Sequence, residues 1–283
     1  MSVRQKSALI TGCGCGGIGE ALAHEYTRAG IRAIATILPT ESGEHLTEAG
    51  ITWFYLDVTI EESIIKLKRQ VSDLTGDVLD VLVNNAGICY TMTAIDTDIT
   101  AVQKMFDVNI FGPIRMVHHF HPLIISSSGV IVNIGSVGGI CPYIYGASYN
   151  ATKAALHHWS NTLRVEMAPL RVKVLTTHTS HFLLLNSDNT LKESQVNTHP
   201  ISRKFKKLIR GICEVTTNRF VYANHVVVQS LKLKPPAWFW YGKTSGIVRF
   251  LDTFAPRTIW DHIMSRMFNL GKLKRHFDMK KKR

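Results

Sequence analysis

A phenol and an ammonium group stand one helical turn apart in this chain. Tyr149 precedes Lys153 by four residues, and Ser136 lies thirteen positions upstream of the tyrosine. At that spacing the two side chains share one helix face, where a cation favours ionisation of a phenol. We therefore expect Tyr149 to act as an acid or base near neutral pH, with Lys153 lowering its pKa. The rival interpretation is an ordinary exposed helix face.

The elements around these residues favour the catalytic interpretation. Residues 129–134 form a short apolar run that begins at a glycine, which is typical of a buried parallel strand, and Ser136 follows its carboxyl end. Open α/β sheets bind their ligands at that edge. The helix that carries Tyr149 and Lys153 continues with apolar residues at helical spacing until Pro169. Both side chains are thus predicted to leave the first turns of a helix beside this edge.

A glycine-rich turn joins the first predicted strand to the first predicted helix. Five of the nine residues from Thr11 to Gly19 are glycine. Glycine lets the backbone approach a pyrophosphate closely, and the following helix N-terminus stabilises its charge. Glycines also form plain tight turns, but the position directly after the first strand favours a dinucleotide site.

The second predicted strand ends without an acidic residue. Leu38 follows it, and Glu41 lies only in the loop beyond. Since an acidic residue there would hold the ribose 2′-hydroxyl of NAD, its absence favours NADP. The arginine expected beside a 2′-phosphate is missing as well, so Thr36 and Thr40 are the candidate hydroxyl donors.

Strand and helix patterns alternate along the chain, which predicts an α/β fold. We expect a Rossmann-type, doubly wound parallel sheet with helices on both faces and a C-terminal helical extension. Residues 1–283 are predicted to form one domain, with a core at 1–180, a substrate-loop region and last strand at 181–245, and a basic amphipathic extension at 246–283. The predicted strands lie at 7–11, 32–37, 53–56, 78–83, 130–134 and 172–176, with a short aromatic strand after Pro236. A first helix is predicted from the glycine turn to about residue 29. Further helices are predicted at residues 61–74, 100–125, 147–168, 202–210 and 223–233, followed by two short amphipathic helices.

Composition narrows the classes of protein. The 283 residues are 45% hydrophobic, and the five cysteines show no repeated CxxC pairing, so neither a disulfide framework nor a zinc site is indicated. The first strand begins too early for a signal peptide, and no apolar run approaches the roughly 20 residues of a membrane-spanning helix. We expect an intracellular protein that is cytosolic or peripheral on endoplasmic reticulum or lipid droplets.

Positive charge is concentrated in the C-terminal part of the chain. Residues 200–283 hold 19 of the 33 Lys and Arg but 4 of the 21 Asp and Glu. The interleaved aromatic residues favour an anionic membrane surface, and no nucleic-acid signature accompanies the charge. The alternative is that these helices pack over a substrate pocket or against a second subunit of a homo-oligomer.

Taken together, the motifs resemble those of the short-chain dehydrogenase/reductase family. A finer likeness, to fungal NADPH-dependent 1-acyldihydroxyacetone-phosphate reductases and their relatives in secondary metabolism, extends over nearly the whole chain. The resemblance implies an oxidoreductase that interconverts a ketone and a secondary alcohol on an apolar lipid, terpenoid or polyketide-like substrate. It is carried by the glycine turn, Asp57, Asn84, Asn85, Ala86, Gly87, Asn109, Ser136, Tyr149 and Lys153, and by the tail from Tyr241 to Leu251.

The resemblance also implies a role for each matching residue. Tyr149 would exchange a proton with the substrate oxygen, Lys153 would lower its pKa and hold the nicotinamide ribose, and Ser136 would hydrogen-bond the substrate oxygen. Asn109 would position a water molecule for proton relay. NADP(H) is the expected cofactor, and no metal is expected. Its remaining contacts would come from Ile10, Gly12, Gly14, Gly17, Ile18 and Gly19 at the phosphates, Thr36 near the 2′-phosphate, Asp57 at the adenine, Asn85 at the ribose, and Thr179 or Ser180 at the nicotinamide amide.

Two departures from the family pattern leave alternatives open. Leu38 stands where relatives commonly have arginine, and the segment from His178 to Phe182 replaces a Gly and Thr pattern after the sixth strand. A nucleotide-binding scaffold without turnover, or an acyl-dihydroxyacetone-phosphate reductase of lipid synthesis, are the alternative functions. Three further groups are more typical of packing or surface than of chemistry: the cluster His118, His119 and His121; the pair His157 and His158; and the basic tail from Lys280, for which an endoplasmic-reticulum address is the alternative. For Leu183 to Leu185 an apolar substrate lid and ordinary core are equally expected.

Overall fold

The computed structural model describes residues 4–179, 218–242 and 244–281. Within them, seven strands form one sheet, in which every neighbouring pair is parallel. The strands are β1 (Ser7–Ile10), β2 (Arg32–Ile37), β3 (Thr52–Tyr55), β4 (Val81–Asn84), β5 (Val130–Asn133), β6 (Lys173–Thr179) and β7 (Trp238–Tyr241). Their order across the sheet is β3-β2-β1-β4-β5-β6-β7, which is the doubly wound arrangement predicted from the alternation.

Helices cover both faces of this sheet, as predicted. The helices differ from the prediction in that a short helix follows β2. In addition, three helices rather than two end the described part of the chain. The predicted helix at 202–210 and Leu183 to Leu185 lie outside the described residues. The helices are α1 (Ile18–Arg28), α2 (Glu44–Glu48), α3 (Glu61–Thr75), α4 (Ile99–Phe106), α5 (Gly112–Ser127), α6 (Ala147–Met167), α7 (Arg219–Ser230), α8 (Ser245–Phe254), α9 (Ile259–Met267) and α10 (Leu270–Lys281).

Two apolar layers hold the sheet between the helices. On one face α1 and α7 pack on the strands through side chains such as Tyr26 and Tyr222, and on the other α3, α5 and α6 pack through side chains such as Leu67 and Phe120. Strands β1, β4 and β5 are buried along their full length. Burial on both faces explains why these strands read as continuous apolar runs rather than alternating patterns.

The C-terminal helices pack on the loop that precedes the predicted catalytic helix. Val248 of α8 and Trp260 of α9 are buried against Cys141, and Ile140 and Ile144 join the same cluster. The extension is therefore part of the folded core on one side. None of the described helices is both long and apolar enough to cross a membrane.

Candidate active site

Ser136, Tyr149 and Lys153 meet at the carboxyl edge of β5. Lys153 is buried, and its Nζ donates a hydrogen bond of 2.8 Å to the Ile134 carbonyl while lying 5.8 Å from the centre of the Tyr149 ring. The Ser136 hydroxyl accepts from the Gly138 amide at 3.1 Å and is a hydrogen-bond partner of the Tyr149 phenol. The structure thus brings together the three residues that the sequence singled out.

The charge states of this cluster follow from burial. Burial raises the pKa of Tyr149 above its ordinary value, and the neighbouring Cys89 thiol adds to the rise, whereas the Ser136 hydroxyl opposes it. Burial also lowers the pKa of Lys153 to about 8. We expected the Lys153 cation to lower the phenol pKa, but in this structure the pKa is raised, chiefly by the loss of solvent around the phenol. Tyr149 is therefore protonated at neutral pH and can donate a proton.

Asn109 clamps the site from the adjoining helix. It is buried in a π-helical turn, Asp107–Phe111, that interrupts the helix formed by α4 and α5. Its Oδ1 accepts from the Ile88 amide at 2.9 Å, and its Nδ2 donates to the Ile88 carbonyl and to Thr152 Oγ1. Because the side-chain amide is committed to these bonds, a water molecule for proton relay would have to be held by the Asn109 main chain.

His157 contacts the main chain of Ser136, and the sequence did not predict this contact. Its Nε2 lies 3.3 Å from the Ser136 amide nitrogen and accepts its hydrogen bond. The ring also fills the space beside Gly135 and Gly139, where a Cβ atom would collide with it. Burial lowers the pKa of His157 well below its usual value, with His178 and Lys153 adding to the effect, so the acceptor stays neutral. Its spacing of four residues from Lys153 is the one sequence signal that placed it on this face.

His178 closes the same buried layer. Its ring lies 4.2 Å from that of His157, and it stacks on Trp238 and Trp240 at 4.8 and 4.6 Å between ring centres. Burial lowers the pKa of His178 to about 4. The departure from the family pattern at this position therefore places a neutral aromatic ring in the core behind the site.

The glycine turn lies at the same sheet edge, between β1 and α1. Gly12 and Gly16 have φ angles of +71° and +79°, which side chains rarely adopt. A Cβ at Gly12 would lie 2.8 Å from the Ala86 Cα, and a Cβ at Gly19 would strike the Gly12 carbonyl. Gly17 caps α1 without a side chain, which leaves the first amides of that helix, from Ile18 onward, for a ligand. These features fit a dinucleotide pyrophosphate.

The side chains of several residues predicted to contact the cofactor hold the turn in place. The Asn85 side chain donates from Nδ2 to the Thr11 and Gly12 carbonyls at 2.8 and 2.9 Å. The Thr36 hydroxyl is buried and donates to the Ile10 carbonyl at 3.3 Å. The Ile10 side chain lies fully within the core, so only its main chain faces the turn.

Two carboxylates lie just after the carboxyl ends of β2 and β3. Glu41 Oε2 accepts from the Leu38 amide at 2.9 Å, and its Oε1 lies 2.7 Å from where a Cβ of Gly14 would be. Leu38 itself is exposed. Asp57 accepts from the amide and hydroxyl of Thr59 through one oxygen at 2.9 and 2.7 Å. The sequence placed Glu41 only in a loop, whereas the fold brings its carboxylate back over the glycine turn.

Three other predictions concern residues outside this centre. Asn84 ties β4 to β5 through a 2.8 Å hydrogen bond from its Nδ2 to Asn133, so it holds the ends of these two strands together. The Thr179 hydroxyl lies at the end of β6 and donates to the Gly135 carbonyl at 3.4 Å, whereas Ser180 is outside the described residues. His119 pairs with Glu61, and the described part of the chain holds no group of three or more metal-ligating side chains.

Comparison with known proteins decides the family. A model of the short chain dehydrogenases matches residues 6–187. The chain belongs to the short-chain dehydrogenase/reductase family. It is 59% identical over 278 residues to a short-chain dehydrogenase of Hypocrea virens, covering 97% of this chain and 96% of the relative. It is also 39% identical over 208 residues to an NADPH-dependent 1-acyldihydroxyacetone phosphate reductase of Schizosaccharomyces pombe, covering 72% of this chain and 70% of that protein.

A solved structure agrees with the fold. The crystal structure of a short-chain dehydrogenase from Streptomyces avermitilis superposes with a TM-score of 0.75 at 25% identity, covering 97% of this chain and 99% of that one. This short-chain dehydrogenase/reductase is accordingly an oxidoreductase of a family that uses nicotinamide dinucleotides. Its glycine turn and its Ser136, Tyr149 and Lys153 cluster lie where such chemistry needs them.

Proposed function

We propose that this protein reduces a ketone on an apolar substrate with NADP(H), or oxidises the corresponding secondary alcohol. The observation that carries the proposal is the meeting of Ser136, Tyr149 and Lys153 beside the glycine turn. A bound nicotinamide supplies the hydride that the carbonyl carbon accepts. The chain must then supply one proton to the carbonyl oxygen and hold that oxygen in place.

The role of each side chain follows from its protonation state. Tyr149, protonated at neutral pH, donates its proton to the oxygen as negative charge develops there. The Ser136 hydroxyl donates a hydrogen bond to the same oxygen, and the Lys153 cation, charged below a pH of about 8, stabilises the phenolate that remains. In the alcohol-oxidising direction the phenolate takes the proton back.

Apolar side chains beside the catalytic cluster form a wall that supports an apolar substrate. The loop between Ser136 and Tyr149 contributes Val137, Ile140 and Ile144 to a cluster with α8 and α9. The rings of Tyr143 and Tyr145 contact Phe268 at 5.5 and 6.2 Å between centres. An apolar lipid, terpenoid or polyketide-like ketone of fungal secondary metabolism fits such a wall, and an acyl-dihydroxyacetone phosphate is the second candidate, favoured by the name of the Schizosaccharomyces pombe relative.

The choice of NADP(H) has support and one opposing feature. The end of β2 carries no acidic residue, and the Schizosaccharomyces pombe relative is named NADPH-dependent. Against it, the Glu41 carboxylate lies over Gly14, where it would repel a 2′-phosphate. Because that side chain is held by a single amide, we expect it to move aside and to leave only modest selectivity over NAD(H). Replacing Glu41 with Gln should then raise NADPH affinity and leave NADH affinity nearly unchanged.

Titrations with the two reduced cofactors test the proposal. Nicotinamide fluorescence of the purified protein is followed with NADPH and NADH separately, and then a panel of apolar ketones and acyl-dihydroxyacetone phosphate is added. Saturable NADPH binding with oxidation on one substrate class is the expected result. Tighter NADH binding would overturn the cofactor assignment. Binding without oxidation on any ketone would favour a nucleotide-binding scaffold.

We also propose that α8 contacts an anionic membrane surface. Its Ile247, Phe250 and Phe254 are strongly exposed and share one helix face. Helix α8 itself holds one Arg and one Asp, but residues 255–283 that follow it hold nine Lys and Arg against two Asp. Two copies of this C-terminal region would therefore repel each other, whereas an anionic bilayer attracts it.

Vesicle sedimentation tests this surface. The protein should bind phosphatidylcholine vesicles only when phosphatidylserine is added, and both salt and the double variant Phe250→Ser with Phe254→Ser should weaken binding. Val165→Ser, which removes an exposed apolar side chain from α6, is the control. Unchanged binding of the double variant would refute the assignment, as would its conversion of a dimer to a monomer in sedimentation equilibrium.

A further inference from the structure

Helix α7 lies alongside α1 with both N-termini at the glycine turn. Three polar contacts join the two helices: Arg219 with Glu20 at 3.1 Å, Asn224 with Glu25 at 2.9 Å, and Tyr26 with Ser230 at 2.8 Å. The contacts run in the same chain direction on both helices, so the pair is parallel. The first residue of α7 is thereby fixed beside the first turn of α1.

Arg219 consequently faces the turn that fits a pyrophosphate. Its Nη1 lies 3.4 Å from the position that a Cβ of Gly16 would occupy. The guanidinium also lies 5.0 Å from the centre of the Phe220 ring, and its side chain keeps about a third of its surface exposed. It is therefore held near the turn and remains accessible to a ligand. The turn from Thr11 to Gly19 has no Lys or Arg of its own.

A carboxylate of the chain already occupies an anion position at this point. Glu20 Oε2 accepts from the Gly16 amide at 2.7 Å and pairs with Arg219 Nη1 at 3.1 Å. A backbone amide and a guanidinium that converge on one oxygen atom are the groups that bind phosphate oxygens in proteins. The Glu20 side chain thus marks where an anion is stabilised between the two helices.

Resting on the dinucleotide cofactor of the proposed function, we propose that Arg219 is a cofactor-binding residue whose guanidinium contacts the pyrophosphate. The pyrophosphate carries the negative charge common to NADH and NADPH. Arg219 therefore contributes equally to both cofactors, unlike Glu41, which lies beside the group that differs between them. A purely structural ion pair with Glu20 would join the helices without this effect on affinity.

Fluorescence titration of variants separates these roles. Arg219→Gln should weaken NADH and NADPH by the same factor, roughly tenfold or more, and Arg219→Lys should lose less because it keeps the charge. The matched control is Arg28→Gln, which breaks the Arg28 and Glu25 pair at the far end of α1 and should leave both affinities unchanged. Thermal unfolding, monitored by circular dichroism, verifies that each variant is folded.

The double variant Glu20→Gln with Arg219→Gln decides whether the contact is direct. If Arg219 binds the pyrophosphate, the double variant stays as weak as Arg219→Gln. Recovery of wild-type affinity would show that Arg219 only neutralises Glu20, and would overturn the proposal, as would an affinity of Arg219→Gln within twofold of wild type. Wild-type protein that binds neither cofactor would instead refute the proposed function itself.

Discussion

The catalytic cluster and the glycine turn lie at the same sheet edge but are built differently. In the cluster, side chains do the chemistry, and Lys153 and Asn109 are buried and held by specific hydrogen bonds. In the turn the backbone forms the site, and side chains from distant segments, among them Asn85 and Arg219, hold or flank it. We infer that substitutions in the cluster should change turnover, whereas substitutions at the turn should change cofactor affinity.

Tyr149→Phe should show the largest effect on this separation. Removing the phenol proton donor should lower turnover about a thousandfold while the NADPH dissociation constant stays within about twofold. Steady-state kinetics on the identified ketone and fluorescence titration measure the two quantities. Tyr55→Phe, an exposed tyrosine on β3, is the control. More than a tenth of wild-type turnover would contradict the assigned role.

Gly12→Ala, a substitution in the glycine turn, should lower cofactor affinity. Its φ of +71° and the 2.8 Å approach of the added Cβ to Ala86 Cα mean that the turn must shift. We expect NADPH affinity to fall at least tenfold and the free energy of unfolding to fall by about 2–3 kcal/mol. Gly30→Ala is a matched control, since its φ is +76° but nothing lies within 4 Å of its added Cβ, and it should cost about 1 kcal/mol without changing affinity.

Lys153→Met should reveal what burial of the cation costs the fold. The pKa of Lys153 is lowered from 10.5 to about 8, so at pH 7 the charge is present in both folded and unfolded chains, and its burial costs about 3 kcal/mol. The lost bond to Ile134 offsets about 1 kcal/mol, so the variant should be about 2 kcal/mol more stable at pH 7.

The pH dependence of the unfolding free energy tests whether the buried charge causes this difference in stability. Between pH 8 and 10.5 the unfolded chain binds more protons at this lysine than the folded chain, so wild-type stability rises with pH. The advantage of Lys153→Met should therefore nearly vanish at pH 10. Urea unfolding at both pH values measures it, with the exposed Lys66→Met as control. An advantage that does not depend on pH would exclude the cation as its cause.

His157→Leu should give the smallest of these effects and sharpens the boundary of the cluster. It removes the acceptor of the Ser136 amide, so we expect kcat to fall about tenfold with unchanged KM for NADPH. His157→Gln, which keeps an acceptor, should recover part of kcat. Because the pKa of His157 is far below its usual value, the wild-type kcat should show no step near pH 6.5 from this group. Equal losses in both variants would indicate packing alone.

The local pattern of residues predicted most of the fold. The apolar runs gave six strands within a few residues of their bounds, and the spacing of Tyr149 and Lys153 placed them on α6. Short or weakly patterned elements were harder, because α2 has five residues and α10 has an apolar stripe interrupted by lysines. Their formation depends on packing and capping rather than on periodicity.

Side-chain direction was the main limit at the site. The sequence assigned Thr36 and Asn85 to the cofactor and Asn109 to a water molecule, and it could not show that each of these side chains makes an internal hydrogen bond. His157 carried only a spacing signal. Glu41 and Arg219 carried none, because Gly14 and Glu20, which they approach, are distant from them in sequence.

The sequence by itself determined the alternation of strands and helices, the glycine turn and the types of the catalytic residues. These are local properties, set by backbone conformation and by spacing within one element. Only the tertiary structure decided the charge states and the partners, since a pKa depends on burial and a hydrogen bond on approach. It raised the pKa of the Tyr149 phenol by burying it, and it placed Arg219 of α7 beside a turn some 200 residues earlier in the chain.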